Sequence, residues 1–318
     1  MSAPKSPFSS SPSAPLPGPA AGRVLCLGET MAMVTPTHVA PLREAVSFAV
    51  KAGGAESTVA MYLADSGVPA SWVSWLGDDP LGWRLLDEVR ASGVDVAGVQ
   101  LIAGAPTGVY FKDPGEGETT VYYYRAGSAA SRMDSTVLEQ LDWRGVAALH
   151  VTGITAGLSA GCAEMLEAVM REARRRDIVV SFDVNYRPGL WSVEAAAPRL
   201  AELATLADLV FVGRDEAETL WGEGHPETLH ASLGLRGRLV VKDGSVGATE
   251  VAAADGGTTV EFVPAHPVDV VEAVGAGDAF TAGYLGAMLG GEPVDVCLNR
   301  GHGLAARTLG STHDFVPA

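Results

Sequence analysis

Val271-Glu272-Ala273-Val274-Gly275-Ala276-Gly277-Asp278-Ala279-Phe280 is the stretch on which the reading of this chain turns. Small residues at 275–277 let the backbone approach a ligand closely, and the apolar run over 279–289 predicts a helix. Free N–H groups at that helix start would form an anion hole, with the helix dipole favouring negative charge. An Asp at the same point would repel a phosphate, so simple anion binding does not account for it. Asp278 makes sense as a base that takes a proton from an attacking hydroxyl while neighbouring amides hold the transferring phosphoryl group. The competing reading is an Asp cap on a glycine-rich turn. The stretch alone leaves both open.

Outward from it, short β-rich runs alternate with helical stretches from Arg23 onward. Val24–Leu27 ends at Gly28, Ser71–Leu76 follows a helical stretch that begins after Gly54, and Leu81–Ala91 is amphipathic. Further strand–helix units start at Ala148–Val151, Ile178–Asp183, Leu209–Val212 and Leu239–Val241. Buried apolar strands separated by crossover helices predict an α/β fold of three layers, αβα, around a mainly parallel sheet. No Pro/Gly/Ser-rich linker divides residues 22–318, so they are expected to form one domain, whereas residues 1–21 read as a disordered Pro/Ser-rich tail without an apolar signal core.

One region breaks the rhythm. Val109–Lys112 and Thr119–Arg125 are β-rich around the turn Asp113-Pro114-Gly115-Glu116-Gly117, which predicts an antiparallel hairpin as part of a small lid that includes about 107–126. Strand alternation puts Tyr123 and Arg125 on one face. That face reads either as a surface for a sugar and a carboxylate or as an ordinary charged edge.

The chain has 318 residues with 22 Lys+Arg against 38 Asp+Glu, a formal net charge of -16. Such a field disfavours nucleic acid and anionic membranes, so an anionic ligand has to be held by local arginines and backbone dipoles. No apolar run reaches the roughly 18 residues of a membrane span. Three scattered cysteines, Cys26, Cys162 and Cys297, fit reduced thiols and hence a cytoplasmic location. A Walker A loop is absent, because the only Lys followed by Ser or Thr is Lys5. The first strand ends in Gly28-Glu29-Thr30-Met31 without the further glycines of a dinucleotide fingerprint, which disfavours an oxidoreductase.

Gly275-Ala276-Gly277-Asp278-Ala279-Phe280 with Ala282-Gly283 closely resembles the C-terminal signature of the PfkB/ribokinase family of carbohydrate kinases. Three further segments are similar to that family, in its order: Gly53-Gly54 before a helix, Leu76-Gly77-Asp78-Asp79-Pro80-Leu81-Gly82 with Gly93-Val94, and Lys242-Asp243-Gly244-Ser245-Val246-Gly247. The resemblance implies a ribokinase-like fold that uses ATP and Mg2+ to phosphorylate a hydroxyl of a sugar or sugar acid. It also implies Asp278 as base with Gly275, Ala276 and Gly277, and nucleotide contacts from Lys242, Gly244, Gly247, Gly275 and Gly277. Gly53, Gly54, Tyr110, Tyr123, Arg125 and Arg187 are then expected at the sugar, and Glu216 near the metal.

Within the family, Gly28-Glu29-Thr30-Met31, Gly53-Gly54-Ala55-Glu56, Tyr122-Tyr123-Tyr124-Arg125 and Asp183-Val184-Asn185-Tyr186-Arg187-Pro188 look like 2-keto-3-deoxygluconate kinases. A keto acid carries a carboxylate that needs cationic partners, which suits Arg125 and Arg187. Fructokinase-like members share Asn185-Tyr186-Arg187, so a hexose kinase is the alternative; a non-catalytic sugar- or nucleotide-binding regulator is another. The chain departs from the family pattern at Thr58 (usually Asn), Gly213 (usually Asn) and Glu272 (usually Asp, at a loop linked in some members to a monovalent cation). Family members often pair through lid strands, so a homodimer is expected.

Overall fold

The computed structural model describes residues 22–38, 40–114, 119–254 and 257–318. The Pro/Ser-rich tail and residues Gly115, Glu116 and Gly117 of the expected turn lie outside the described residues. In chain order the strands are β1 (Arg23–Leu27), β2 (Met31–Pro36), β3 (Phe48–Gly53), β4 (Ala70–Gly77), β5 (Asp95–Ile102), β6 (Val109–Asp113) and β7 (Thr120–Tyr124). They continue with β8 (Val146–Thr152), β9 (Val179–Asp183), β10 (Leu209–Gly213), β11 (Arg238–Asp243), β12 (Gly247–Ala254) and β13 (Gly257–Pro264).

One sheet of nine strands runs β13-β12-β11-β10-β9-β8-β1-β4-β5. Every neighbouring pair from β11 to β5 is parallel, while β12 and β13 run antiparallel at one edge. Alternation along the strands feeds two cores. Leu25, Leu27, Leu149, Val151, Val180, Phe182, Leu239 and Val241 pack against the helices Ala160–Arg175 and Val193–Ala204. The intervening Val24, Cys26, Ala148, Val179, Phe211 and Val240 pack against the helices Ala55–Asp65, Ala276–Leu289 and Val294–Leu309. With both faces covered the strands read as unbroken apolar runs, and the three-layer αβα expectation holds.

Strand order locates the functional end. From β1 the chain moves to β4 and β5, then returns to the other side of β1 and continues through β8 to β11. Where the order reverses, the carboxyl ends of parallel strands open a crevice. Thr152, Asp183 and Lys242 lie at or next to the carboxyl ends of β8, β9 and β11, and alternation turns all three to the face that carries the helix Ala276–Leu289.

The lid contains the expected hairpin and extends beyond it. It is a four-stranded sheet in the order β3-β2-β6-β7. β6 and β7 form the expected hairpin, while β2 pairs antiparallel with β3 and parallel with β6. β2 finds β6 more than seventy residues later, a non-local pairing with no turn between the two strands to announce it.

Candidate active site

Gly275 caps the helix Ala276–Leu289 at φ 85°, a left-handed conformation natural to glycine. The site is also crowded: a β-carbon there would come within 2.9 Å of Asp314 Cα. Asp278 is thus the third helical residue, and its carboxylate accepts a hydrogen bond from Asn185 Nδ2 at 3.2 Å. Burial, reinforced by the negative charge of Asp183, raises the Asp278 pKa to about 7 against the opposing influence of Arg187 and Lys242. A carboxyl half-ionised near neutrality is suited to receiving a proton in a reaction run at that pH. Among the described backbone hydrogen bonds, none uses the amides of Gly277 or Asp278 as donors. Ala276 was expected to join them, but its N–H is turned back on the Ala273 carbonyl at 3.4 Å. The amides left unbonded at this helix start, among the described residues, are therefore those of Gly277 and Asp278.

Lys242, expected at the nucleotide, points into this cluster. Its Nζ lies 2.7 Å from Asp183 Oδ2, which also accepts from Thr281 Oγ1 at 3.1 Å. The same ammonium lies beneath Gly277, 3.4 Å from where a β-carbon would stand. It therefore carries positive charge beneath the helix start at Gly277. Gly244 and Gly247 shape the turn from β11 into β12, with φ of 47° and 152°. Glu216 divides its carboxylate: Oε2 accepts from the Gly213 amide at 3.0 Å as a helix cap, and Oε1 lies 3.5 Å from Arg187 Nη1. Burial first, then Asp183, pushes its pKa up. For magnesium, Asp183 Oδ1 and Asn185 Oδ1 are buried without a hydrogen-bond partner among the described residues. Mg2+ keeps waters and phosphate oxygens and asks the protein for only one or two carboxylates, so this donor set fits it.

Beside the cluster lies a cleft of about 280 Å³ lined by Tyr123, Arg125, Ser131, Gly157, Leu158 and Arg187, among others. The guanidinium of Arg125 stacks 4.6 Å from the Tyr123 ring centre, so the shared face read from strand alternation is formed. Arg125 Nη1 also lies 3.1 Å from Glu29 Oε2, yet its Nε and Nη1 make no hydrogen bond among the described residues. The charge of Arg125 is balanced by Glu29, and the residue lines the cleft. Arg187 carries the more exposed charge, with 42% of its side chain open.

Three residues expected at the sugar, Tyr110, Gly53 and Gly54, are not among those that line this cleft. Tyr110 is 4% exposed, packs on Tyr123 and donates its hydroxyl to Asp314 Oδ2 at 2.8 Å; it is not among the residues that line the cleft. Gly53 ends β3 opposite Met31. Gly54 caps the helix Ala55–Asp65, and a β-carbon on it would come within 2.8 Å of Thr30 Cα, so its role in the described structure is close packing. Thr58, in place of the family's Asn, is fully buried.

The pfkB family carbohydrate kinase model matches residues 21–314. The chain belongs to the pfkB family of carbohydrate kinases. A 2-dehydro-3-deoxygluconokinase of Bacillus subtilis (strain 168) is 36% identical over 294 residues, covering 91% of this chain and 90% of the relative. A fructokinase of Rhizobium leguminosarum bv. trifolii is 31% identical over 272 residues, covering 83% and 79%. The crystal structure of a PfkB protein from Polaromonas sp. JS666 superposes with a TM-score of 0.81 at 34% identity, covering 91% of this chain and 96% of that one. This pfkB-family chain is a sugar phosphotransferase, and the αβα sheet described above is the family fold.

Several polar residues of this kinase stood in motifs quoted from the sequence but were given no role there. Glu29 is 2% exposed, accepts from Ser128 Oγ at 3.0 Å and balances Arg125. Glu56 is fully buried, accepts from Thr152 and Thr155 at 2.8 Å, and is pushed up to about 7 chiefly by burial. Asp183 and Asn185 hold Lys242 and Asp278. Their place at and just past the carboxyl end of an apolar strand in a parallel sheet was the available signal. No helix among the described residues is long and apolar enough to cross a membrane.

Proposed function

We propose that this kinase transfers the γ-phosphoryl group of ATP to the primary hydroxyl of 2-keto-3-deoxygluconate. The observation that carries the reading is that Arg125 and Arg187, the latter with exposed charge, both line the cleft beside Asp278. In a chain of net charge -16, two guanidiniums on one small cleft favour an acceptor with its own negative charge. Tyr123 supplies the apolar wall, and the lid sheet limits access of water to the transferring group.

Asp278 takes the hydroxyl proton as the acceptor oxygen bonds to the γ-phosphorus and the bond to the ADP oxygen breaks. The amides of Gly277 and Asp278, with the Lys242 ammonium below them, stabilise the charge on the phosphoryl oxygens. Gly244, Gly247 and Gly275 give the nucleotide a close backbone approach. Asp183, Asn185 and Glu216 are the oxygen donors that would hold Mg2+, which when bound neutralises phosphate charge. Three buried, free cysteines fit operation in the cytoplasm. The exposed edge strand β7, with Tyr124 66% open, offers a second copy a strand to pair with, so the working form is a homodimer through the lid.

Arg187→Ala tests the acceptor. The expected result is an acceptor KM raised about 10- to 100-fold for the keto acid, the worth of a charged hydrogen bond, with the KM for fructose little changed. Arg125→Lys keeps the charge that balances Glu29 but loses the planar fork, and should act in the same direction. Equal effects on the two acceptors would remove the carboxylate assignment and favour a hexose kinase.

A further inference from the structure

Lys112 is a buried lysine to which the reaction above assigns no task. Its side chain is 1% exposed, and its Nζ lies 2.7 Å from Asp314 Oδ1, 2.9 Å from Glu272 Oε1 and 3.4 Å from the Thr312 carbonyl. The second oxygen of Asp314 accepts from the Tyr110 hydroxyl at 2.8 Å. This knot joins three parts of the chain distant in sequence. Lys112 and Tyr110 stand on lid strand β6. Glu272 lies in the loop that leads into Gly275. Asp314 lies in the segment after the last helix and packs against Gly275, whose β-carbon would stand 2.9 Å from Asp314 Cα.

Each part has other anchors. The amides of Val271 and Glu272 donate to the Leu309 carbonyl at 2.8 and 3.3 Å. The Val316 amide donates to the Tyr62 hydroxyl at 3.0 Å, and Phe315 packs edge-on to the Tyr62 ring. Neither set reaches the lid. Among the described hydrogen bonds and ion pairs, the contacts of Lys112 and Tyr110 are what connect β6 to the Gly275 turn. Charge explains why a cation stands there. Two carboxylates buried side by side repel each other, and the ammonium between them turns that repulsion into a bond across three segments.

We propose that Lys112 is a positioning residue for phosphoryl transfer, its ammonium fixing the Gly275 turn, and through it the Gly277 and Asp278 amides, to the lid. The lid and the anion hole then move as one body, so the donors are aligned when the lid covers the acceptor. This rests on the phosphoryl-transfer reading of Gly277 and Asp278.

The test is Lys112→Ala with and without ammonium chloride, using choline chloride as the ionic-strength control. Loss of alignment should lower kcat about 10- to 100-fold, with acceptor KM little changed because Arg125 and Arg187 are untouched. Ammonium entering the vacated space between the carboxylates should restore much of kcat, and choline should not. In parallel, amide exchange over 270–277 should quicken in the variant and slow again with ammonium. Unchanged kcat, or a loss indifferent to ammonium with unchanged exchange over 270–277, would overturn the proposal. If Lys112→Ala does not fold, the neutral combination Lys112→Met with Glu272→Gln and Asp314→Asn removes the tether without stranding a charge. It should be folded by circular dichroism and slow in kcat, and wild-type kcat would overturn the proposal. A wild-type protein inactive on every acceptor would count against the kinase reading alone, because the exchange measurement needs no acceptor and still decides the tether.

Discussion

In the proposed mechanism Asp278 carries the chemistry because of where it sits. A carboxyl at a helix start would ordinarily be acidic, since the dipole favours its charge. Burial and Asp183 reverse that, and the pKa of about 7 makes a protonatable base. The kcat/KM of the enzyme should therefore fall on the acid side with an apparent pKa near 7 that Asp278→Asn abolishes, along with about a thousandfold of kcat. Stability should move the other way. Folded Asp278 holds its proton up to about pH 7 while the unfolded chain loses it near 4, so native stability declines as pH rises between those values. Asp278→Asn should raise Tm above neutrality by a few degrees, with the gain shrinking as the pH is lowered toward 4. Thermal melts across that range check it, and a gain independent of pH would contradict the assignment.

At the scale of elements, the turn before the helix Ala276–Leu289 is the most exacting. Gly275→Ala would force a β-carbon into both a left-handed φ and the backbone of Asp314, a strain of about 1–3 kcal/mol. We expect a lower Tm and a kcat loss larger than the Tm change explains, read from melts and initial rates on the same preparation. A fully active, fully stable variant would mean the turn is not held as described. The same segment shows what was legible in the sequence. Gly275 to Phe280 announced a glycine-rich turn into a helix over 279–289 with an acid at its start, because both requirements are local; the helix begins three residues earlier, at Ala276, which makes Asp278 its third residue. The apolar strands β1, β4 and β8 to β11 were legible for the same reason. Strands β2 and β3 were not, since their partners are remote and the lid face they build is small. Tyr110 and Lys242 were named from motif position, but motif position says nothing of which way a side chain turns. One faces Asp314 and the other Asp183. Glu29 and Glu56 stood in quoted motifs without a role of their own, because a buried acid gives itself away through its partners, Arg125 in one case and Thr152 and Thr155 in the other.

On the scale of the whole molecule, an acidic surface surrounds a cleft with two arginines. The mean field repels an anionic acceptor, so capture depends on contacts made within the cleft. Added salt should weaken the long-range repulsion more than the partly buried contacts of Arg125, so kcat/KM for the keto acid should not collapse as ionic strength rises. A steep loss with salt would point instead to capture by exposed charge. The exposed edge of β7 makes a second whole-molecule prediction: light scattering should report a dimer, and Tyr124→Lys, which sets a charge on that edge, should shift it toward monomer.

The central claim is that the Asp278 cluster phosphorylates an acidic sugar held by Arg125 and Arg187. Its most direct test is ADP release with ATP and magnesium, comparing 2-keto-3-deoxygluconate, fructose, ribose and no acceptor, with Asp278→Asn alongside. The account predicts turnover on the keto acid well above the other acceptors, lost in the variant. Preferential turnover on fructose would contradict the acceptor assignment, and undiminished turnover in Asp278→Asn would contradict the mechanism.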